Sequence, residues 1–179
     1  MSRNIDARDK TTLTKLLKEA KRVVDDIKVG KDPAVAIPSR SLSNVNFNEK
    51  RSIIELGDQK IERQLFNVGH CRKFMQTFLV AAACKDLIGE GKTTSIRDLY
   101  YITKHTMGKS RQNTFEDQEE SDPIIEDLEV TVDALREELH LFASNRGAMV
   151  GPLTLVDAGD TINLRHLGSG GWSVPSIVE

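Results

Sequence analysis

Apolar residues recur at the three- and four-residue spacing of an amphipathic α-helix in separate segments of this chain, and no other feature of the sequence constrains the fold as strongly. The first segment covers residues 10–29 and ends near Gly30. The second, Cys71 to Ile88, is rich in Phe, Met, Leu and Ala and stops at Gly89. Glycine often ends helices because it adopts the left-handed backbone conformation at no steric cost. The pattern therefore predicts two helices with these bounds.

Capping residues indicate two further helices. Thr94 or Ser95 is expected to cap a helix that runs to about Met107. After a polar stretch, Asp122-Pro123 is expected to begin another helix that extends to about Phe142. Proline fits the first turn of a helix, and acidic side chains favour the positive end of the helix dipole. Three consecutive helices are therefore predicted in the middle of the chain.

Short strand-like segments precede and follow these helices. Residues 31–48 indicate a loop with one short strand, and Ser52–Leu56 is consistent with a strand and turn. Three apolar strand-like stretches follow the helices, within residues 148–151, 153–156 and 161–164. Three helices followed by a small β-hairpin are the element order of a winged helix, a helix-turn-helix variant with a β wing.

We therefore expect a mainly α-helical fold with a small β wing, in which a winged-helix (helix-turn-helix) domain follows an N-terminal helical arm. The expected boundaries are residues 1–66 for the arm with its short strands, 67–167 for the winged-helix domain and 168–179 for a linker. The linker prediction rests on Gly168-Ser169-Gly170-Gly171, a composition typical of flexible connections.

The composition indicates an ordinary globular protein, with 39% hydrophobic and 29% charged residues in 179. No run of 18 or more apolar residues occurs, which argues against a membrane span. The charged N-terminus lacks the apolar stretch of a secretory signal. Both cysteines, Cys71 and Cys84, fall in one predicted helix, so a disulfide is not expected and a reducing cytoplasm is the expected location.

Charge is distributed unevenly, although the net charge is only -2. Residues 40–114 contain 13 Lys and Arg against 7 Asp and Glu, whereas residues 116–138 contain 11 acidic side chains and the single Arg136. A basic surface attracts nucleic acid, but a solvated charged helix face gives the same count. The acidic helix is by its charge a poor reader of a DNA groove. The sequence leaves open whether it faces a partner subunit or directs its few polar groups past the phosphates.

The helix after Ser95 carries the residues with the most chemistry. At about 100° per residue, its two adjacent tyrosines face in different directions. Tyr100 points to the core, and Tyr101 points to a cationic surface. The residues predicted to share that surface are Arg97, Tyr101, Lys104 and His105.

Cations beside an exposed tyrosine suit nucleophilic attack on a phosphodiester. A phenol has a pKa of about 10 and is a weak nucleophile while it is protonated. Neighbouring cations favour the phenolate and stabilise the charge that develops on the phosphoryl oxygens. Since an exposed helix face with Tyr, Arg and Lys is more often ordinary surface, geometry alone leaves this choice open.

Several motifs add a resemblance that covers roughly residues 45–179. The stretches SIRDLYY, TFEDQEESDPIIEDLE, LREELHLFASNRGAMVGPLTL and GSGGWSVPSIVE are similar to the N-terminal part of the A subunits of archaeal-type topoisomerase VI. The meiotic double-strand-break transesterase belongs to the same family. In this family an Arg-Asp-hydrophobic-aromatic-Tyr motif ends on the nucleophile, which corresponds to Tyr101 here. The active-site arginine of the family corresponds to Arg97.

The resemblance implies a CAP-like winged helix that cleaves double-stranded DNA. Tyr101 would attack a backbone phosphate to give a 5′-phosphotyrosyl link and a free 3′-hydroxyl. Two A subunits would form a homodimer that cuts both strands, and a second duplex would pass through the gap. The B subunit, which is a GHKL-type ATPase, would bind ATP and complete an assembly of two A and two B subunits. Further candidate DNA contacts are Lys104, His105, Arg146 and Arg165.

The sequence departs from the family pattern at its end. Family members continue into a Toprim domain whose carboxylates hold Mg²⁺ beside the partner's tyrosine, and the present chain ends about where that domain should begin. We therefore expect no metal site in this chain. Since metal stabilisation is a large contribution in phosphoryl chemistry, the chain alone is expected to cleave DNA poorly or not at all.

Other interpretations have less support. Gly89-Glu90-Gly91-Lys92-Thr93-Thr94 is similar to the end of a phosphate-binding loop, but Asp86 occupies the position of the first glycine in that pattern. Cysteine and histidine spacings do not match a metal-binding motif. The function that remains as an alternative is a winged-helix module for DNA binding or for assembly of the subunits, without cleavage chemistry.

Overall fold

The computed structural model of the protein describes residues 6–143, 147–157 and 159–174. Two compact units are present, Met1–Leu141 and Phe142–Glu179. In its described residues the chain forms four α-helices and several two-stranded antiparallel sheets, so the fold is mixed α and β and less purely helical than the periodicity predicts. No helix in the described ranges is long and apolar enough to cross a membrane.

Helix α1 (Ala7–Lys28) confirms the first predicted helix and lies on the core of the first unit. Its N-terminus is capped by Asp6, whose carboxylate accepts from the Ala7 N–H. Leu16 is 5% exposed within the core cluster, which also contains Leu139 and Leu141. The predicted N-terminal arm therefore includes a helix that is packed along one side.

Helix α2 (Cys71–Glu90) confirms the second predicted helix and forms the centre of the core. Val80 and Cys84 have no exposed surface, and Ile88 is 1% exposed. The helix ends at Gly91, whose φ of 60° places it in the left-handed region that a glycine adopts without strain.

Helix α3 (Ile96–Thr103) begins where the sequence predicts and ends about four residues early. Ser95 is the cap, since its hydroxyl accepts from the Asp98 N–H at 3.0 Å. The predicted end at Met107 is wrong. The Thr114 hydroxyl donates to the Thr103 carbonyl and accepts from the His105 N–H, both at 2.8 Å, so the returning chain provides the hydrogen bonds that a further helical turn would have made.

Helix α4 (Gln118–Val132) begins earlier and ends sooner than predicted. Asp117 caps it by accepting from the Glu120 N–H at 3.1 Å, which leaves Pro123 inside the helix instead of in its first turn. The helix stops at Asp133, which has a φ of 47°. The chain then makes a 3-10 turn at Glu137–Leu139, so the predicted continuous helix to Phe142 is wrong.

Strands are more numerous than the sequence indicates. The segment predicted as a loop with one strand contains both β1 (Ala34–Pro38) and β2 (Val45–Asn48). Strand β3 (Ile53–Leu56) is confirmed and pairs with β2, whereas β4 (Lys60–Gln64) was not predicted and pairs with β1. Strand β5 (Thr94–Ser95) pairs with β6 (Leu141–Phe142).

The second unit contains the predicted β-hairpin. Strand β7 (Ala148–Met149) comes first, and strands β8 (Thr154–Asp157) and β9 (Asp160–Asn163) then pair antiparallel. Strand β10 (Trp172–Ser173) pairs with β7 and follows a 3-10 turn at Gly168–Gly170. Part of the segment predicted as a linker therefore has regular structure.

Candidate active site

Helix α3 presents its two tyrosines to different surroundings. Tyr100 is 7% exposed and Tyr101 is 58% exposed. Their rings are in contact edge to face, with centroids 5.1 Å apart and planes at 61°. The helical spacing predicts this division, and the structure confirms it.

The Tyr100 hydroxyl is held on two sides. It donates to the Glu116 carbonyl at 2.9 Å and accepts from the Lys104 ammonium, whose Nζ lies 2.6 Å away. The same ammonium donates to the Glu116 carbonyl at 3.0 Å and lies 5.0 Å from the centre of the Tyr100 ring. This phenol is therefore part of the structure that fixes the chain after α3.

The Tyr101 hydroxyl is in a different position. Within the described part of the chain it makes no hydrogen bond, and its ring lies on the surface. Arg97 is exposed one helical turn earlier, at a spacing that places two side chains on the same face. Its guanidinium forms no ion pair with any described residue. An unengaged phenol and an unengaged guanidinium on one face can meet a phosphate that approaches from solvent.

Lys104 and His105 lie beyond the last residue of α3, Lys104 as its C-cap. The ammonium of Lys104 is directed to the Tyr100 hydroxyl, and this hydrogen bond is the main reason that its pKa is raised. Tyr101 contributes a smaller electrostatic effect of the same sign. His105 is exposed and uses its backbone to bind Thr114.

The two remaining predicted DNA contacts come later in the chain, after β6. Arg146 lies outside the described residues. Arg165 is exposed in the second unit, in a 3-10 turn that Asn163 caps by accepting from the Arg165 N–H at 3.0 Å. Of the predicted residues that the structure describes in the first unit, Arg97 and Tyr101 lie one helical turn apart on the exposed face of α3.

A polar network that the sequence analysis did not find supports the loop behind Tyr100. Gln76 is buried on α2 and donates to the Thr114 carbonyl at 2.8 Å. Arg72, one turn earlier on α2, forms ion pairs with Glu116 at 3.6 Å and Glu120 at 3.2 Å. Hydrogen bonds from Asn113 and the charge of Arg72 lower the pKa of the Glu116 carboxyl. A buried polar residue on an apolar helix was the only available sequence signal for this network.

The magnesium ion that the family resemblance implies does not fit the residues of this structure. No group of three or more His, Cys, Asp or Glu side chains in the described ranges is arranged to hold a metal ion. The acidic residues of α4 are spread along the helix, and several form ion pairs with arginine. No step of the chemistry is therefore assigned to a metal held by these residues.

Comparisons with known proteins match the part of the chain that contains the two tyrosines. A family model described as type IIB DNA topoisomerase matches residues 72–141, which include α3 and α4. The A subunit of type 2 DNA topoisomerase 6 from Pyrococcus horikoshii is 48% identical over 167 residues, 93% of this chain and 44% of the relative. The chain belongs to the family of topoisomerase VI A subunits.

More distant archaeal topoisomerase VI A subunits give the same match. The Aeropyrum pernix protein is 37% identical over 174 residues, 92% of this chain and 45% of the relative. The Methanocaldococcus jannaschii protein is 31% identical over 169 residues, 92% of this chain and 44% of the relative. The chain thus corresponds to an N-terminal portion of the topoisomerase VI A subunits, and it spans less than half the length of these relatives.

Proposed function

We propose that this chain is the DNA-cleaving transesterase module of a type IIB topoisomerase, with Tyr101 as the nucleophile. The proposal rests on the contrast between the two tyrosines of α3, within the segment that matches the topoisomerase model. Tyr101 is the exposed phenol, and its hydroxyl has no partner in the described residues, whereas the Tyr100 hydroxyl has a donor and an acceptor already. Of the two, Tyr101 alone can bring its hydroxyl to a phosphate without breaking internal hydrogen bonds.

The reaction exchanges one phosphate ester for another. The Tyr101 oxygen forms a bond to phosphorus, its proton is lost to solvent, and the bond from phosphorus to the 3′-oxygen breaks. The leaving oxygen takes up a proton and becomes a 3′-hydroxyl, while the 5′ end stays attached to the tyrosine. Arg97 contributes by binding the non-bridging oxygens, to which a guanidinium can donate two hydrogen bonds at once. Because the bond energy is kept in the tyrosyl ester, the reverse reaction rejoins the strand.

The element order supports a winged-helix scaffold for this site. Helices α2, α3 and α4 follow one another, β5 lies between the first two, and the β8–β9 hairpin follows. In such a scaffold the helix-turn-helix portion approaches the duplex and the hairpin serves as the wing. The family resemblance favours the CAP-like form of this arrangement.

The complete reaction requires further components. We propose Mg²⁺ bound by a Toprim domain, a homodimer of A subunits to cut both strands, and ATP bound by the B subunit. Double-stranded DNA is the substrate in both the cut and the transported segments. The chain alone is accordingly expected to form little covalent product.

Covalent trapping tests the proposal. The chain would be combined with a Toprim-containing fragment of the A subunit, the B subunit, an ATP analogue, Mg²⁺ and supercoiled DNA, and denatured to reveal protein-linked DNA. Wild type and Tyr100→Phe are expected to form adducts, and Tyr101→Phe none. The Phe substitution at residue 100 is the matched control, because it removes one hydroxyl from the adjacent position of the same helix.

Two results would oppose the proposal. Adducts that persist in Tyr101→Phe would assign the nucleophile to another residue. An inactive wild type beside an active intact enzyme would favour the alternative, a winged-helix module that binds DNA or another protein of the complex without cutting. In that case duplex binding without adducts would be the remaining activity to measure.

A further inference from the structure

The connection between α3 and α4 is long and ordered. Residues 104–117 join the two helices, whereas the turn of an ordinary helix-turn-helix has three or four residues. Within it, Thr106 and Asn113 form an antiparallel bridge, and the Met107 N–H donates to the Gln112 carbonyl at 2.9 Å. We call residues 106–113 the α3–α4 hairpin. It is a defined element, since backbone hydrogen bonds close it.

The tip of the α3–α4 hairpin is also fixed. The Ser110 N–H and hydroxyl both donate to the Met107 carbonyl, at 3.0 and 2.7 Å. The Ser110 hydroxyl accepts from the Gln112 N–H at 3.2 Å. Gly108 has a φ of 54° and permits the sharp turn. The positions of the tip backbone, and so of the side chains at 109 and 111, are set before any ligand arrives.

Those two side chains are cations with no counter-ion among the described residues. Lys109 and Arg111 are exposed, and neither forms an ion pair or a side-chain hydrogen bond with the residues that the structure describes. From residue 97 to residue 113 there are four Lys and Arg and only one acidic residue, Asp98. The basic character therefore extends from the face of Tyr101 along the chain to the hairpin tip.

Helix α4, which a helix-turn-helix would place in the DNA groove, has the opposite charge. Its exposed side chains near the N-terminus include Glu119 and Asp122, which would repel phosphate. The nearby cation Arg72 forms ion pairs with Glu116 and Glu120, so its charge is already balanced by acidic side chains. A duplex that meets α3 is thus attracted by the hairpin and repelled by the helix after it.

We infer that the α3–α4 hairpin binds the backbone phosphates of double-stranded DNA through Lys109 and Arg111, and that α4 does not read the groove. This inference rests on the proposed function, because it assumes that a duplex reaches Tyr101. Contacts of this kind neutralise phosphates, release counter-ions and carry no sequence information. The binding is therefore independent of DNA sequence and falls steeply with salt.

The test compares duplex affinity at several salt concentrations for the 179-residue chain and its variants. Lys109→Ala/Arg111→Ala is expected to bind about tenfold more weakly at about 0.1 M salt, with a logarithmic salt slope smaller by about 1.8. Lys18→Ala/Lys21→Ala removes the same charge from exposed positions of α1 and is the matched control, expected to keep the wild-type slope. Glu119→Gln/Asp122→Asn should bind different duplex sequences with the same relative affinities as wild type, and a changed preference would show that α4 reads the groove.

The outcomes separate the two proposals. If the Lys109→Ala/Arg111→Ala variant binds with the same affinity and salt slope as wild type, the hairpin inference is overturned. The proposed function is left intact. Equal losses in that variant and the α1 control would also overturn it, since net charge alone would then explain the effect. A wild-type chain that fails to bind duplex DNA would overturn the hairpin inference, whereas the proposed function is decided by the covalent adducts of the assembled complex. Because the two side chains form no ion pair or hydrogen bond with the residues that the structure describes, unchanged unfolding midpoints are expected and would be checked by urea titration.

Discussion

Two side chains of the same type can differ in acidity in this protein because they differ in burial. The two cysteines of α2 are an example: Cys71 is partly exposed and Cys84 has no exposed surface. Burial disfavours the charged thiolate and raises the pKa of Cys84 from 9.0 to about 12. The proton that this thiol holds in the folded protein is therefore released more easily once the chain unfolds.

This difference predicts a loss of stability in alkaline solution. Below about pH 9.0 the thiol is protonated in both states, and between about pH 9 and 12 only the folded state keeps the proton. The free energy of unfolding should then fall as the pH rises, by up to about 1.4 kcal/mol per pH unit from this group. Urea unfolding at several pH values should show a shallower decline for Cys84→Ala than for wild type. The same decline in both would contradict the assignment, and Cys71→Ala is the control.

At the level of single elements, the start of α3 was predictable from local sequence and its end was not. Ser95 caps α3 through a residue three positions ahead, so the signal lies within the helix itself. The end of α3 depends on Thr114, eleven residues beyond Thr103, and no local pattern reports that contact. For the same reason the exposure of Tyr101, inside the helix, was predicted correctly, while the hydrogen bond from Lys104 to the Tyr100 hydroxyl was not foreseen.

Strand β4 shows a related limit of sequence reasoning. Lys60–Gln64 has the sequence KIERQ, which lacks the alternation of apolar and polar residues that indicates a strand. It pairs with β1 through backbone hydrogen bonds, in an antiparallel register that places Ala34 opposite Gln64. The α3–α4 hairpin escaped prediction in the same way, because polar residues that close on themselves resemble an ordinary loop.

The cap of α3 gives a prediction at this scale. Ser95→Ala removes the acceptor of the Asp98 N–H and should lower the free energy of unfolding by about 1 kcal/mol, while Ser95→Asp keeps an acceptor and should restore most of it. Thermal or urea unfolding of the three proteins measures the effect. Equal stability of wild type and Ser95→Ala would show that solvent replaces the cap.

Across the first unit, a partly buried ion network connects the β1–β4 sheet and the chain after β1 to α4. Asp127 is 6% exposed and accepts from Arg40 at 2.8 Å and from Arg63. Arg40 also pairs with Glu126 on the same helix, and its pKa is raised, because these carboxylates outweigh the opposing effect of burial. A second apolar cluster in this unit joins β1 to α2 through Val35, Ile37 and Phe74.

Removing the central carboxylate should destabilise the unit strongly. Asp127→Ala leaves Arg63, whose side chain is 14% exposed, without its counter-ion, and breaking a pair of this kind costs about 3–5 kcal/mol. Chemical denaturation measures the change. Glu55→Ala, which breaks the exposed pair of Arg51 and Glu55, is the control and should change stability by less than about 1 kcal/mol. Similar small effects in both variants would indicate that water reaches Arg63.

The hydrogen bond between the His140 ring and Asp9, at 3.0 Å, joins two residues that are 131 positions apart. Leu16 shares the core cluster with Leu139 and Leu141, which lie at a similar distance along the chain. During synthesis, α1 leaves the ribosome before residues 139–141 and has no complete binding surface until they emerge. A nascent chain that stops after α4 could pack α1 on α2 and α4 but would leave part of its apolar side uncovered, and the first unit gains its final stability only when residues 139–141 have been added.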